Sequence, residues 1–297
     1  MLPVVKCVLA GLCTVDIVQR VAELPAPGEK VASLSMEVAA GGPATNAAVT
    51  VAALGGSAVL VTALGSHPLA DFARADLAAC GVEVYDVTPE SPAPPALSAV
   101  AVRERDGERT VVSRNAGALP PSSRLSFPRH HDLVTSASAV LIDGHHPDLA
   151  LGAARRARER GIPVLLDAGS WKPVLTELLP LVDIAACSAH FRAPSESLRE
   201  RGVPIVITTA GADPVRWCTP ESSGEVPVPE VAARDTLGAG DVWHGALAYG
   251  VGRFELPELI RLANEVAATR VEHVGPRSWL TAVKNSGARR QMAEGMS

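Results

Sequence analysis

Short apolar segments that alternate with a helical pattern are the feature that most restricts the fold of this 297-residue chain. Near the N-terminus, residues 4–10 form an apolar run that ends at Gly11, which is typical of a central strand buried on both faces. Later predicted elements are a helix at 147–160 and strands at 139–142, 163–166, 184–186 and 204–208. Strands that alternate with helices form a parallel sheet covered by helices. The sequence therefore predicts an α/β fold with a mostly parallel sheet.

Two predicted hairpins stand apart from this pattern. Residues 17–24 and 31–38 flank a turn rich in proline and glycine, and residues 97–103 and 109–113 alternate around Asp106-Gly107. We expect them to form a small β-sheet lid from about 17–38 and 97–113. Because an isolated hairpin sheet is marginally stable in water, we also expect this lid to pack on the lid of a second copy, giving a homodimer.

The size and composition fit one large domain over residues 1–297, with the lid inserted in it. The chain is 47% hydrophobic with a mean hydropathy of +0.19, so it can bury a large core without a disulfide or a metal. Its net charge of -5 and its aromatic content of 3% argue against nucleic acid and anionic membrane surfaces as partners.

The cysteines and one long uncharged segment bear on the compartment. The five cysteines are odd in number and form no CxxC pair, which is typical of reduced thiols and gives no reason to expect zinc. Residues 38–70 carry no Lys, Arg, Asp or Glu, but Gly41-Gly42-Pro43 and Gly55-Gly56 interrupt the segment. We therefore expect a cytoplasmic protein with no membrane partner.

Residues 234–241, with the sequence RDTLGAGD, are the strongest candidate for a reactive site. Gly238 and Gly240 allow a tight turn and a close backbone approach to a ligand, and the apolar run 242–251 predicts a buried helix. The free N–H groups and the dipole of a helix N-terminus attract an anion such as phosphate. Asp241 could there accept a proton from a hydroxyl. The structural alternative is a glycine-rich turn capped by an aspartate.

Two motifs resemble the signatures of the ribokinase-like (PfkB-type) carbohydrate kinases. DTLGAGD at 235–241 looks like the second signature, and GGPATN at 41–46 resembles the first, which pairs a double glycine with an Asn. The resemblance runs from about residue 4 to 280 and implies a ribokinase-like three-layer core with a small β-sheet lid. It assigns the catalytic base to Asp241 and the anion hole to the amides of Gly238, Ala239 and Gly240.

The resemblance also implies a sugar site at the carboxyl ends of the strands. Asp16 stands after the first predicted strand, where the family has a sugar-binding Asp, and Asn46, preceded by Gly42, offers an amide to sugar hydroxyls. His145 follows a later strand end and Lys30 closes a lid turn, so both are candidates for contacting the far end of the substrate. Each of these side chains also has a structural alternative as a turn, cap, buried or solvated residue.

The nucleotide side is less well matched. Thr209 and Gly211 end a predicted strand and look like the family's nucleotide loop, and Asn264 corresponds to a position that lines the adenine site. Asp235 is a candidate ligand for a monovalent cation such as K+. Residues 187–190 (CSAH) replace the usual Asn-x-x-Glu motif and lack both of its key residues. ATP and Mg2+ are the cofactors that the resemblance implies.

The sequence thus predicts an ATP-dependent kinase that transfers the γ-phosphate to a hydroxyl of a small sugar. The segment GSHPLADF at 65–72 looks closer to the ketohexokinase branch, so the expected acceptor is a ketose such as fructose. An acidic ketose derivative would be favoured if Lys30 pointed inward. The alternatives are a nucleoside kinase of the same fold and a non-catalytic sugar or nucleotide sensor, the latter suggested by the missing Asn-x-x-Glu.

Overall fold

The computed structural model describes residues 4–114, 126–128, 133–191 and 195–286. It contains a nine-stranded sheet with helices packed on it and a separate four-stranded sheet. The strands are β1 Lys6–Ala10, β2 Thr14–Val21, β3 Ser35–Gly41, β4 Ser57–Thr62, β5 Val82–Asp86, β6 Ala96–Arg103, β7 Arg109–Arg114, β8 Ala139–Ile142, β9 Val164–Ala168, β10 Ile184–Ser188, β11 Ile205–Ala210, β12 Asp213–Cys218 and β13 Ser223–Val226. The helices are α1 Pro43–Ala53, α2 Pro68–Ala79, α3 Pro147–Glu159, α4 Leu175–Leu178, α5 Ser195–Glu200, α6 Ala239–Gly250, α7 Leu256–Val271 and α8 Leu280–Asn285.

The large sheet has the order β13-β12-β11-β10-β9-β8-β1-β4-β5 and is parallel from β11 to β5. Strand β1 lies between β4 and β8, and its side chains point alternately into two hydrophobic clusters, one on each face. Cys7 and Leu9 belong to one cluster, and Val8 and Ala10 belong to the other. Burial on both faces explains why this strand is apolar throughout, and the predicted three-layer α/β fold is confirmed.

The small sheet has the order β3-β2-β6-β7 and forms the predicted lid. Strands β2 and β6 pair in parallel, and the two outer pairings are antiparallel. The first hairpin differs from its predicted limits, because β2 begins at Thr14 and pairs there with Gly41. Residues 22–34 form the connecting loop, since the prolines in it cannot donate to a strand ladder.

Several short elements were missed by the sequence analysis. Strands β12 and β13 form an antiparallel hairpin at one edge of the large sheet, and the Pro214 near the start of β12 concealed it. Helices α4 and α5 have only 4 and 6 residues, which is too short for a helical period to be visible. Among all helices of the described residues, none is both long and apolar enough to cross a membrane.

Close packing of α1 against α6 sets the position of the site. Gly245 lies on α6 where a Cβ atom would come within 2.5 Å of the carbonyl oxygen of Ala47 on α1, so only glycine permits this approach. Helix α1 begins with Pro43 after Gly42, whose φ of 97° disfavours any other residue. The N-terminal turns of both helices therefore open at the same end of the large sheet.

Candidate active site

Asp241 and Asn46, 195 positions apart in the chain, meet at the start of α6. The amide Nδ2 of Asn46 donates to Oδ2 of Asp241 at 2.8 Å. Gly238 precedes the helix with φ 73°, and a Cβ atom at this position would lie 3.2 Å from the Asn46 Nδ2. The N–H of Ala239 donates to the carbonyl of Thr236 at 3.3 Å, and Gly240 is exposed with open space where its Cβ would be. The first turn of α6 can thus receive an anion beside the Asp241 carboxylate.

The environment of Asp241 disfavours its ionised form. Burial, followed by the negative charge of Asp167, raises the pKa of the Asp241 carboxyl to about 7. The hydrogen bond from Asn46 and the proximity of His244 act in the opposite direction. A carboxyl that titrates near neutral pH is well suited to accept a proton from a substrate hydroxyl.

Asp16 lies on β2, at the foot of the lid. Its Oδ1 accepts from the Thr14 hydroxyl at 2.6 Å, and Gly41 on β3 leaves the space that the carboxylate fills. Burial raises the pKa of Asp16, partly offset by hydrogen bonds from the Thr14 and Ser98 hydroxyls. A cavity of about 20 Å³ connects Asp16 with Asn46 and Gly238. The structure therefore brings three of the predicted site residues to one cavity, and the other residues that line it are Val18, Ala39, Ala40, Leu237, Val242, Arg270, Pro276 and Trp279.

His145 lies beyond the carboxyl end of β8, close to Asp143. The backbone N–H of His145 donates to Oδ1 of Asp143 at 2.9 Å, and burial lowers the pKa of the imidazole. Oδ2 of Asp143 accepts from the N–H groups of Leu12 at 2.8 Å and Ala44 at 3.3 Å. This buried carboxylate joins the end of β1, the start of α1 and the end of β8, a role that the sequence analysis missed.

His244 and Asp167 form a second pair that the sequence analysis missed. His244 lies one turn after Asp241 on α6, and its Nδ1 is 3.5 Å from Oδ2 of Asp167 at the end of β9. Its Nε2 lies 3.2 Å from the carbonyl oxygen of Ala186 and donates to it, since a carbonyl can only accept. Both side chains are buried. The spacing of Asp241 and His244 on one predicted helix could have indicated that His244 lies near the reactive turn, but no local pattern links His244 to Asp167.

The lid contacts the loop that leads into α6. Nη1 of Arg109 on β7 donates to the Thr236 hydroxyl at 2.7 Å. Gly107, in the turn between β6 and β7, lies over the backbone of Arg234. These contacts join the lid to residues 234–236, which immediately precede the turn into α6.

Comparison with known proteins identifies the family. The model of the pfkB family carbohydrate kinases matches residues 5–282. This chain belongs to the PfkB family. It is accordingly a carbohydrate kinase, a phosphotransferase whose acceptor is a hydroxyl group.

Individual relatives agree with this assignment. The chain is 24% identical over 299 residues to a ribokinase of Mus musculus, an alignment that covers 91% of this chain and 90% of the relative. It is 25% identical over 260 residues to a bifunctional ribokinase/ribose-5-phosphate isomerase A of Fructilactobacillus sanfranciscensis, covering 82% of this chain but only 48% of that longer protein. Among solved structures, Arabidopsis thaliana ribokinase complexed with ribose and ATP superposes with a TM-score of 0.76 at 22% identity, covering 96% of this chain and 100% of that one.

The residues predicted for the nucleotide lie along β11 and α7 of this PfkB kinase. Thr209 is on β11 near the turn into β12, and Gly211 has φ 64° in that turn, where open space surrounds it. Asn264 is buried on α7, and both the oxygen and the nitrogen of its side-chain amide are hydrogen-bonded within the protein. Oδ1 accepts from Trp243 Nε1 at 2.7 Å, and Nδ2 donates to the carbonyl of Pro227 at 3.0 Å. Asn264 is therefore placed to hold the surrounding backbone.

Two predicted residues have surroundings that differ from expectation. Lys30 is exposed in the loop between β2 and β3, and it is not among the residues that line the cavity. Asp235 is buried and ion-paired with Arg270, whose Nη2 is 3.3 Å from Oδ2 of Asp235. A protein guanidinium thus stands beside the carboxylate that was predicted to face a monovalent cation.

Proposed function

We propose that this PfkB kinase transfers the γ-phosphate of ATP to a hydroxyl of a small sugar, with a ketose such as fructose as the first candidate. The placement of Asp241 in the first turn of α6 carries the proposal, because Asp241 is hydrogen-bonded to Asn46, which lines the cavity together with Asp16. The likeness to a ribokinase solved with ribose and ATP supports ATP and a small sugar as the substrates, while the choice of a ketose rests only on the resemblance of residues 65–72 to the ketohexokinase branch.

In the proposed reaction, the protein positions the two substrates and accepts one proton. Asp16 and Asn46 would hold hydroxyls of the sugar, and Asp241 would take the proton from the attacking hydroxyl. The amides of Gly238 and Gly240 would stabilise the negative charge of the transferred group, and the Ala239 amide would join them if it exchanged its long 3.3 Å hydrogen bond to Thr236 for the phosphoryl oxygen. Thr209 and Gly211 would form one wall of the nucleotide site. Asn264 would position the opposite wall through its hydrogen bonds to Trp243 and Pro227.

Mg2+ fits this site as a partner of the nucleotide phosphates. Among the residues that the structure describes, no three or more His, Cys, Asp or Glu side chains converge as a metal site. In kinases Mg2+ is usually held by one or two carboxylates together with the substrate phosphates. When bound, the ion neutralises phosphate charge.

The cavity is too small for a sugar in this conformation. Its volume of about 20 Å³ admits about one water molecule, so a sugar would enter when the lid moves outward. Because Lys30 is exposed on the lid loop, a neutral ketose is preferred over an acidic one. His145 remains a candidate for the far end of the sugar.

A substrate panel tests the proposed function. We expect ATP turnover with fructose, and kcat/KM values that change less than about twofold in Lys30→Ala. ADP release would be measured with fructose, ribose, an acidic ketose and a nucleoside for the wild type, for Lys30→Ala and for Lys284→Ala, an exposed lysine on α8 that serves as control.

Each competing reading has its own result in this panel. A preference for ribose or a nucleoside by more than about tenfold would contradict the ketose proposal. If Lys30→Ala lost activity toward the acidic ketose but not toward the other acceptors, Lys30 would belong to the substrate site. Binding of sugar and ATP without turnover of any acceptor would indicate a non-catalytic sensor.

We further propose that the outer face of the lid joins two copies of the chain. One cross-strand row on this face consists of Val38, Ile17, Ala99 and Val112. Val112 is 71% exposed and Val38 is 37% exposed. An apolar row of this kind on a four-stranded sheet favours association with a second apolar surface.

Charge introduced into this row tests the dimer. We expect light scattering to give a dimer mass for the wild type and a monomer mass for Val112→Lys, because a buried unpaired ammonium is costly. Val111→Lys is the matched control, since Val111 is the next residue on β7, is 46% exposed and points to the opposite face. A monomeric wild type would contradict the proposal.

A further inference from the structure

Arg270 is among the most deeply buried charged side chains of the described protein, with 2% exposure. It lies in the last turn of α7 and directs its guanidinium at the loop before α6. Nη1 donates to the carbonyl oxygens of His273 at 2.8 Å and Asp235 at 3.2 Å. Nη2 is 3.3 Å from Oδ2 of the Asp235 carboxylate. Two carbonyls and one carboxylate thus converge on a single positive group.

The same contacts determine the path of the backbone into the anion-binding turn. Oδ1 of Asp235 accepts from the Leu237 N–H at 3.0 Å, and Oδ2 accepts from the Gly275 N–H at 2.9 Å. The N–H groups of Arg234 and Asp235 both donate to the carbonyl of Val271, at 2.7 and 3.1 Å. Gly238 follows immediately, so the positions of the first-turn amides of α6 depend on this arrangement.

Carbonyl and carboxylate oxygens that converge in this way are the ligands that a hard cation such as K+ uses. In this chain, however, the Asp235 carboxylate and the two carbonyls already contact Arg270. The residues present therefore do not fit a bound monovalent cation, contrary to the sequence-based expectation for Asp235.

We propose that the guanidinium of Arg270 takes the place of a monovalent cation and acts as a positioning residue for the phosphate-binding turn, which makes the kinase independent of K+. This inference rests on the proposed kinase activity. A covalently attached cation keeps the turn assembled at any salt composition, because it cannot dissociate.

The first test needs no variant. The initial rate of the wild type is measured with chloride salts of K+, Na+ and choline at equal ionic strength. We expect the three rates to agree within about twofold. An increase of more than about fivefold from choline to K+ would overturn the proposal.

The second test removes the guanidinium. We expect Arg270→Ala to lower kcat/KM for ATP by about tenfold or more and to recover activity when guanidinium or K+ is added at millimolar concentration. We expect Arg270→Lys, which retains a positive charge, to stay independent of K+. Arg261→Ala is the control, since Arg261 is exposed on the same helix.

A readout without turnover separates this inference from the proposed function. The thermal midpoint of Arg270→Ala should rise when K+ replaces choline, whereas that of the wild type should not change. If neither the rate nor the thermal midpoint of Arg270→Ala responded to K+ or guanidinium, Arg270 would contribute only packing. A higher KM for the sugar alone would assign Arg270 to acceptor binding, since it also lines the cavity. Either result would overturn the proposal.

Discussion

Replacing Asp241 by Asn is expected to lower kcat by roughly 10²- to 10⁴-fold, while the KM values for ATP and sugar change little. Asn has the same shape and can still contact Asn46, but it cannot accept the proton of the substrate hydroxyl. Steady-state kinetics on the purified variant measures the effect. Asp71→Asn is the matched control, because Asp71 also lies in the first turn of a helix, α2, but is exposed. Turnover close to that of the wild type would exclude Asp241 as the base.

The pH dependence of the two proteins gives an independent check. Because the pKa of Asp241 is raised to about 7, the carboxylate needed for proton acceptance forms as the pH passes through that value. We expect kcat/KM of the wild type to rise through this range, and the residual activity of Asp241→Asn to lack this step. A wild-type profile that is flat between pH 6 and pH 8 would contradict a base with a raised pKa.

The same shift predicts the direction of a stability change. The folded protein holds the Asp241 proton more tightly than the unfolded chain, whose carboxyl titrates near its ordinary pKa of about 4. Asp241 therefore contributes less to stability as the pH rises from about 4 to about 7, and this loss is complete above the folded pKa. We expect Asp241→Asn to be more stable than the wild type at pH 8, measured by thermal unfolding.

Replacing Gly240 by Val is expected to lower kcat/KM for ATP by roughly 10²-fold without unfolding the protein. Gly240 is exposed in the first turn of α6, its φ is not positive, and a Cβ atom there would meet open space. The new side chain would therefore occupy the place proposed for the phosphate and leave the protein's own packing intact. Binding of adenosine, which has no phosphate, should change little and can be measured by calorimetry.

Gly238 supplies the contrasting variant. Its φ is 73°, and a Cβ atom would lie 3.2 Å from Asn46 Nδ2, so Gly238→Ala strains the fold itself. We expect Gly238→Ala to lower the thermal midpoint and Gly240→Val to leave it almost unchanged. An unaltered KM for ATP in Gly240→Val would remove the first turn of α6 from the phosphate site.

Local features of the sequence predicted the fold class and the position of the reactive turn. The apolar run of β1 reflects burial on both faces of a parallel sheet, which any chain must meet with apolar residues at successive positions. The Gly238 turn and the start of α6 depend on backbone freedom and helix dipoles that act within a few residues. The lid hairpins followed from turn residues, although the loop prolines shifted their limits. The resemblance of the DTLGAGD motif to a signature of the PfkB family predicted that the protein is a kinase.

The tertiary structure alone decided which charged and polar groups became partners. Asn46 and Asp241 meet because Gly245 lets α1 and α6 approach, and no spacing within one helix could reveal that contact. The partner of a buried charge depends on whichever distant element packs against it. For that reason Asp235 meets Arg270 where a cation was expected, while Lys30, on a long loop, stays in solvent. Sequence patterns reflect the backbone preferences and the burial of individual residues. The partner of a buried polar or charged side chain, in contrast, is determined only when the whole chain has packed.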